Sequence, residues 1–296
     1  MLMFAGLFVP ALYASSAFPA RAASALAPVT RTVYVAVMDN KGVPINDLTA
    51  ADFSVKEGGK DYEVTKAEAA TGPLQVVMIV DDNGVGVFRP AVGAFIQALS
   101  GKGQFEVMTV IDRVQRSTDF TSDTEALKAA VATLVQRPGA RDGSVLLDAV
   151  SEAARDLTKR KADRPVIVAL SIAGTEKSST RAGQVLAELK MSRALLHVIS
   201  LGNALVQANS SGQASDDTVN LNDGLDNGTK QSGGRRNQIS AITDIQSGLQ
   251  KILDQVTHQY ALTYTLPDGV KLNERFAVTV KRPGAVVMAP AKIPDK

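Results

Sequence analysis

An apolar run, Leu74-Gln75-Val76-Val77-Met78-Ile79-Val80, ends in an acidic, glycine-bearing turn, Asp81-Asp82-Asn83-Gly84-Val85-Gly86. A continuous run of this kind suits a strand covered on both faces. A strand that stops at a carboxylate is how an open α/β sheet presents a ligand, just outside the carboxyl ends of its strands. Asp81 and Asp82 are therefore the first residues to which chemistry can be assigned. With Asp148 they offer carboxylates for a metal-assisted hydrolase, which needs a deep pocket and displaced pKa values. The plainer reading of Asp81 and Asn83 is a turn, since both side chain types cap backbone groups well. Asp148 reads as a solvated or capping carboxylate. Ser171 also follows an apolar run, but no Gly-x-Ser-x-Gly phrase surrounds it and no partner histidine is implied. The two histidines, His197 and His258, lack metal-ligand spacing and read as structural. No catalytic residue is assigned.

The 296 residues are 45% hydrophobic and 21% charged, enough for one large or two modest domains with a sizeable core. A net charge of +2, no basic block and 5% aromatic residues give no footprint for nucleic acid. The absence of cysteine excludes disulfides, thiol nucleophiles and thiolate metal sites. Met1 to Tyr13 is almost wholly apolar, and Ala14 to Ala27 is rich in small residues, with cleavage-like patterns at Ala20-Arg21-Ala22 and Ala23-Ser24-Ala25. Residues 1–25 therefore read as an export signal, too short to span a bilayer and lacking the usual leading positive charge. No other stretch is long and apolar enough to cross a membrane, so the expected location is secreted, periplasmic or cell envelope.

The elements that must position Asp81 follow from periodicity. Residues 26–72 read as an N-terminal β segment: Thr32–Met38 runs into a turn at Asp39-Asn40-Lys41-Gly42, and Phe53–Glu57 and Tyr62–Val64 flank a hairpin at Gly58-Gly59. Residues 73–258 alternate strands (Val76–Val80, Phe105–Ile111, Val166–Leu170, Leu195–Leu201) with helices over Arg89–Leu99, Thr124–Gln136, Val145–Lys159, Ala182–Lys190 and Ile242–Thr257. Ser122 and Glu125 have capping-box spacing. Within this zone, residues 203–237 are so polar that a mobile surface loop is expected. Residues 259–296 read as two closing strands, turned at Pro267-Asp268-Gly269, that pack with the N-terminal segment. Strands alternating with helices imply a parallel-rich sheet wrapped on both faces.

Two phrases flank this α/β zone: Leu48-Thr49-Ala50-Ala51-Asp52-Phe53-Ser54-Val55-Lys56-Glu57-Gly58-Gly59-Lys60, and Gln259-Tyr260-Ala261-Leu262-Thr263-Tyr264 followed by Lys281-Arg282-Pro283-Gly284. Together with the strand into Asp81, they make the chain resemble the von Willebrand factor A-related proteins of the acidobacterial secreted type, over nearly the whole length after the leader. The resemblance implies a Rossmann-like α/β core on a small β platform built by both terminal segments. It also implies a cation site of three loops. The first, Asp-x-Ser-x-Ser in the family, reads Asp81-Asp82-Asn83-Gly84-Val85 here. The second places Ser144, in Asp142-Gly143-Ser144, where the family has threonine. The third, an aspartate after a strand, meets Ile172 or Ala173, with Glu176 the nearest carboxylate, several residues beyond. Gly233-Gly234-Arg235-Arg236, superficially like a phosphate loop, matches a family turn before the last helix.

The metal ligands so implied are Asp81, Asn83 and Ser144, a degenerate set holding no cofactor or a weakly bound Mg²⁺ or Mn²⁺. The ligand-binding residues are Asp81, Asp82, Asn83, Ser144 and Ser171. The expected function is a non-enzymatic module for protein–protein interaction or adhesion, with a protein or cell-surface partner and weak or no metal dependence. The alternatives are a cation-dependent adhesion domain, the metal-assisted hydrolase, and a structural part of an envelope assembly.

Overall fold

The computed structural model describes residues 28–135, 143–172, 174–202, 215–267 and 270–294. The leader and the tip of the turn at Asp268-Gly269 lie outside the described residues. Two six-stranded sheets organise the chain.

The core sheet contains β4 (Leu74–Asp81), β5 (Gly103–Val110), β6 (Val114–Thr121), β7 (Arg164–Ile172), β8 (Leu195–Leu201) and β9 (Arg236–Ile239) in the order β6-β5-β4-β7-β8-β9. All pair in parallel except β6, which runs antiparallel to β5 at the edge. Counted along the chain, this is the doubly wound order 3-2-1-4-5-6, whose ligand crevice opens where the winding reverses, between β4 and β7. Asp81 and Ser171 are register partners at that point. β4 is apolar throughout because both its faces are covered. Val76, Met78 and Val80 join the cluster under α1 (Arg89–Ala98), α2 (Thr124–Ala132) and α6 (Asp244–Thr257). Val77 and Ile79 join the cluster under α3 (Leu146–Lys159), α4 (Ala182–Ser192) and α5 (Asp216–Ser232).

The second sheet is antiparallel. It contains β1 (Val29–Met38), β2 (Phe53–Glu57), β3 (Lys60–Ala69), β10 (Gln259–Leu266), β11 (Phe276–Val280) and β12 (Val286–Met288) in the order β11-β2-β3-β10-β1-β12. β10 lies between β3 and β1, so the two ends of the chain interleave in one platform. The β2–β3 hairpin turns on Gly58 and Gly59, at φ +58° and +84°, the left-handed backbone that a tight hairpin demands.

Arg164, at the start of β7, joins the two sheets. Its Nη1 donates to the carbonyls of Ala70 (3.2 Å) and Gly72 (2.8 Å), between β3 and β4. Its Nη2 donates to Val256 O (2.6 Å) and Gln259 Oε1 (2.9 Å), and its Nε to the same Gln259 oxygen (3.3 Å). All five donor directions of the guanidinium thus meet neutral oxygens. Its carbon lies 5.6 Å from the centre of the Tyr34 ring, a cation–π contact.

Three expectations need correction. The polar stretch 203–237 is not a loop throughout: α5 occupies Asp216–Ser232, capped by the Ser215 hydroxyl and ended by Gly233 at φ +85°. The helix packs through glycine rather than bulk. A Cβ at Gly224 would come within 2.9 Å of Leu147, and one at Gly228 within 3.0 Å of Leu189 and Leu196. With Leu221 and Leu225 on the same stripe, few apolar residues suffice. Residues 203–214 lie outside the described residues. The second correction concerns β9 (Arg236–Ile239), a strand that the periodicity does not mark and that follows the turn at Gly233-Gly234; a Cβ at Gly234 would lie 1.9 Å from the Leu196 carbonyl oxygen. The third concerns α2, which is capped by Asp123, whose carboxylate accepts from the amides of Glu125 and Ala126, and not by a Ser122–Glu125 box.

Both histidines lie within secondary-structure packing away from Asp81's hydrogen bonds. His197 is fully buried on β8 with neither ring nitrogen bonded among the described residues. Burial, then the charge of Arg235, pushes its pKa down to about 3, so the ring is neutral. His258 Nδ1 lies 2.9 Å from Asp254 O at the end of α6.

Arg164→Met would strand four acceptor oxygens at the junction. It is expected to cost about 3 kcal/mol in urea denaturation, at the high end for unsatisfied buried polar groups.

Candidate functional site

β4 delivers Asp81 to the crest of the core sheet, 1% exposed. Its Oδ2 accepts from Ser144 Oγ at 2.7 Å and from Ser171 Oγ at 3.1 Å. Ser171 comes from the adjacent strand. Ser144 comes from the loop before α3, and two backbone bonds hold it against a third loop: Ser144 N donates to Thr175 O (2.8 Å), and Lys177 N donates to Ser144 O (2.7 Å). Ser144 Oγ also accepts from Leu146 N (3.1 Å), so one hydroxyl caps the helix and anchors the carboxylate.

That clamp brings in Glu176, which sequence distance had set beyond the site. It is 2% exposed and bridges to Ser144. Its Oε1 accepts from Leu147 N at 3.4 Å, at the start of α3, while its Oε2 is buried without a partner among the described residues. Asn83 Oδ1 is likewise buried and unpartnered. Asn83 has φ +51°, a left-handed conformation that asparagine tolerates. The sequence marks Glu176 only as the nearest carboxylate after β7; the pairing of two loops makes it a neighbour of Ser144.

The other expected residues point elsewhere. Asp82 is consumed by its own turn, accepting from Gly84 N (2.9 Å) and Gly86 N (2.7 Å). Asp148 accepts from Ser179 N and Oγ (both 3.2 Å) and from Thr180 N (2.8 Å), the capping role read for it. Burial pushes its carboxyl up, but the bonds from Thr180 and Ser179 outweigh burial and hold it below 3.8. Asp81, Asp82 and Asp148 therefore do not converge on one reacting centre. Ile172 packs against the core cluster, and Ala173 lies outside the described residues. Two cavities, of about 530 and 590 Å³, are lined by residues away from the crest.

The electrostatics are those of buried acids. Burial pushes Asp81 up to about 7; the Ser144 and Ser171 bonds pull it down, and the charges of Glu176 and Asp82 push it up further. Glu176 is raised too, chiefly by burial. A tightly held divalent cation wants several oxygens in regular geometry. Here Asp81 Oδ2 already serves two hydroxyls, Asp82 is occupied, and Val85 is a hydrocarbon 53% exposed. Among the described residues no three His, Cys, Asp or Glu side chains group as metal ligands. The crest oxygens left without a hydrogen-bond partner among the described residues are Asn83 Oδ1 and Glu176 Oε2.

No family model and no curated protein matches the sequence. Solved structures do align. A von Willebrand factor type A protein from Catenulispora acidiphila is 12% identical over 92% of this chain and 74% of its own, with a TM-score of 0.46. The conserved hypothetical protein BatB from Bacteroides thetaiotaomicron is 12% identical over 62% of this chain and 98% of its own, with a TM-score of 0.42. Proximal thread matrix protein 1 from the mussel byssus, with a zinc-occupied MIDAS motif, is 11% identical over 68% of this chain and 49% of its own, with a TM-score of 0.46. The strand order and crest geometry set out above show what these identities alone do not. The core has a von Willebrand A-like fold. The likeness to these structures is one of fold.

An acid with a folded pKa near 7 and an ordinary value of 3.8 binds more protons folded than unfolded. Its stabilising contribution is full below pH 3.8 and is lost as pH rises through 7. Asp81→Asn keeps an oxygen for both serines. It is expected to be more stable than the parent at pH 8, by up to roughly 4 kcal/mol, and no more stable at pH 4. Urea denaturation at the two pH values checks this.

Proposed function

We propose that the chain is a non-enzymatic protein-binding module of the cell envelope or exterior, and that its partner docks on the crest around Asp81 with weak or no dependence on a divalent cation. The observation that supports this reading is the switch point of the doubly wound sheet, where Asp81 and Ser171 meet at the ends of β4 and β7 and the following loop exposes Val85.

The rim supports a protein rather than a small solute. Val85, Val219 and Ile242 are 53%, 56% and 59% exposed. They follow the carboxyl ends of β4, β8 and β9 respectively. Exposed apolar residues around a polar centre are the composition of an interaction surface. The apolar leader motivates the envelope or secreted location, and no helix among the described residues is long and apolar enough to cross a membrane. On this reading the crest keeps the arrangement of a cation-dependent adhesion site after losing most of its ligands.

The test is a pull-down with the purified chain from the envelope fraction of its own organism, with and without EDTA, alongside Val85→Glu and Asn83→Leu variants. The same partner is expected with and without chelator, and at least tenfold less with either variant. Capture that depends on Mg²⁺ or Mn²⁺, together with a rise in melting temperature on adding the ion, would contradict the proposal.

A further inference from the structure

Beyond β12, residues 289–294 close the platform. Phe276 N donates to Ala291 O (3.1 Å) and Ile293 N to Glu274 O (3.0 Å), which pairs this segment with the start of β11. Ala291 N donates to Gln231 O on α5 (2.9 Å), and Arg31 Nη2 on β1 donates to Pro294 O (2.7 Å). With the segment in place, a cavity of about 530 Å³ remains between the platform and the core. Sites for small organic ligands usually measure about 300–1,000 Å³.

One wall is β1 with Pro290 and Ile293, the other is α4 through Leu186 and Leu189, and the floor is made by the starts of β7 and β8. The cavity therefore lies at the amino ends of the core strands. The nine residues of β7 separate it from the crest by roughly 26 Å at the usual rise of a strand. Its walls are largely hydrocarbon, which suits the body of an organic molecule rather than a hydrated ion.

Charge decides what kind of molecule. The lining holds six lysine or arginine side chains against one acid, Asp163, which accepts from Tyr34 Oη at 3.0 Å. Arg31 pairs with Glu57 (2.9 Å), while Lys190 and Lys292 share Glu274 (2.7 and 3.9 Å). The other three cations make no ion pair among the described residues. Arg164 is 6% exposed, and its donors meet only neutral oxygens, so its hydrogen bonds are satisfied while its charge is not balanced. Buried charges are normally paired. Lys161 and Arg193 are exposed at the mouth, just past the ends of α3 and α4. The last turns of those helices already carry Lys159 and Lys190, which complement the helix dipoles. A cleft lined by one sign of charge concentrates molecules of the other sign.

We propose that this cavity binds a small amphiphile with one anionic head, a carboxylate or a phosphate, whose head lies at the mouth near Lys161 and Arg193 and whose hydrocarbon body lies against Leu186, Leu189 and Ile293. This site is independent of the crest.

The test is isothermal titration calorimetry of the full chain with decanoate and with decyl phosphate, each below its micelle-forming concentration. Decyltrimethylammonium and butyrate are the controls. Saturable binding of at least one decyl anion is expected, and the tighter of the two names the head group that the site takes. Decyltrimethylammonium and butyrate are each expected to bind at least tenfold more weakly. K161E/R193E should weaken the decyl anion at least tenfold without changing the melting temperature of the free chain, with K161Q/R193Q as the milder pair if charge reversal unfolds it. Asp81→Asn should leave binding unchanged. Four results would overturn the proposal: no binding of either decyl anion; equal binding of decyltrimethylammonium, which makes the contact apolar only; equal binding of butyrate, which makes this a simple anion site; or unchanged affinity in the folded double variant.

Discussion

The buried carboxyl of Asp81, held between the hydroxyls of Ser144 and Ser171, is the contact on which the crest depends. It ties the end of β4 to the end of β7 and to the loop that starts α3. The same Ser144 is bound on both sides to the segment around Glu176, so three loops share one anchor. An acid buried this far is costly when charged. Burial raises the pKa of Asp81, and the hydroxyls of Ser144 and Ser171 offset part of that rise. The result is a buried polar centre at the carboxyl end of β4.

The opposite end of the molecule solves a different problem with the same economy. Arg164 carries a charge into the junction and surrounds it with neutral carbonyls from the β3–β4 connection, the end of α6 and the start of β10. Those are the points at which the chain passes between core and platform. Placing β10 in the centre of the platform makes the N-terminal strands depend on the C-terminal ones. The crest is thus built on a core whose rear is fixed, and its loops can differ without disturbing the sheet order.

Much of this was legible in the residues. β4 declared itself because both of its faces are covered, which removes polar alternation. The helices with wide apolar stripes, α3 and α6, were visible for the complementary reason. The platform was read from the flanking phrases and from Gly58-Gly59, where the backbone needs glycine. Asp81, Ser144 and Ser171, each singled out in the sequence, are joined by hydrogen bonds. What was hidden has physical causes. α5 packs by close approach at Gly224 and Gly228, so its composition is that of a loop. β6 is an edge strand with half-exposed residues and no apolar run. Glu176 enters the site through a pairing between loops that no spacing along the chain encodes, and Asp82, adjacent to the key residue, is turned back into its own loop.

Asp81 is a buried, hydroxyl-bound acid, and the proposed function holds that it is not the ligand of a resident cation. The most direct measurement is the pH titration of its carboxyl carbon by NMR in selectively labelled protein, with and without 10 mM Mg²⁺. The account predicts an apparent pKa near 7 that the ion leaves in place. A carboxyl ionised below pH 4, or one whose titration moves down by more than a unit when Mg²⁺ is added, would contradict it.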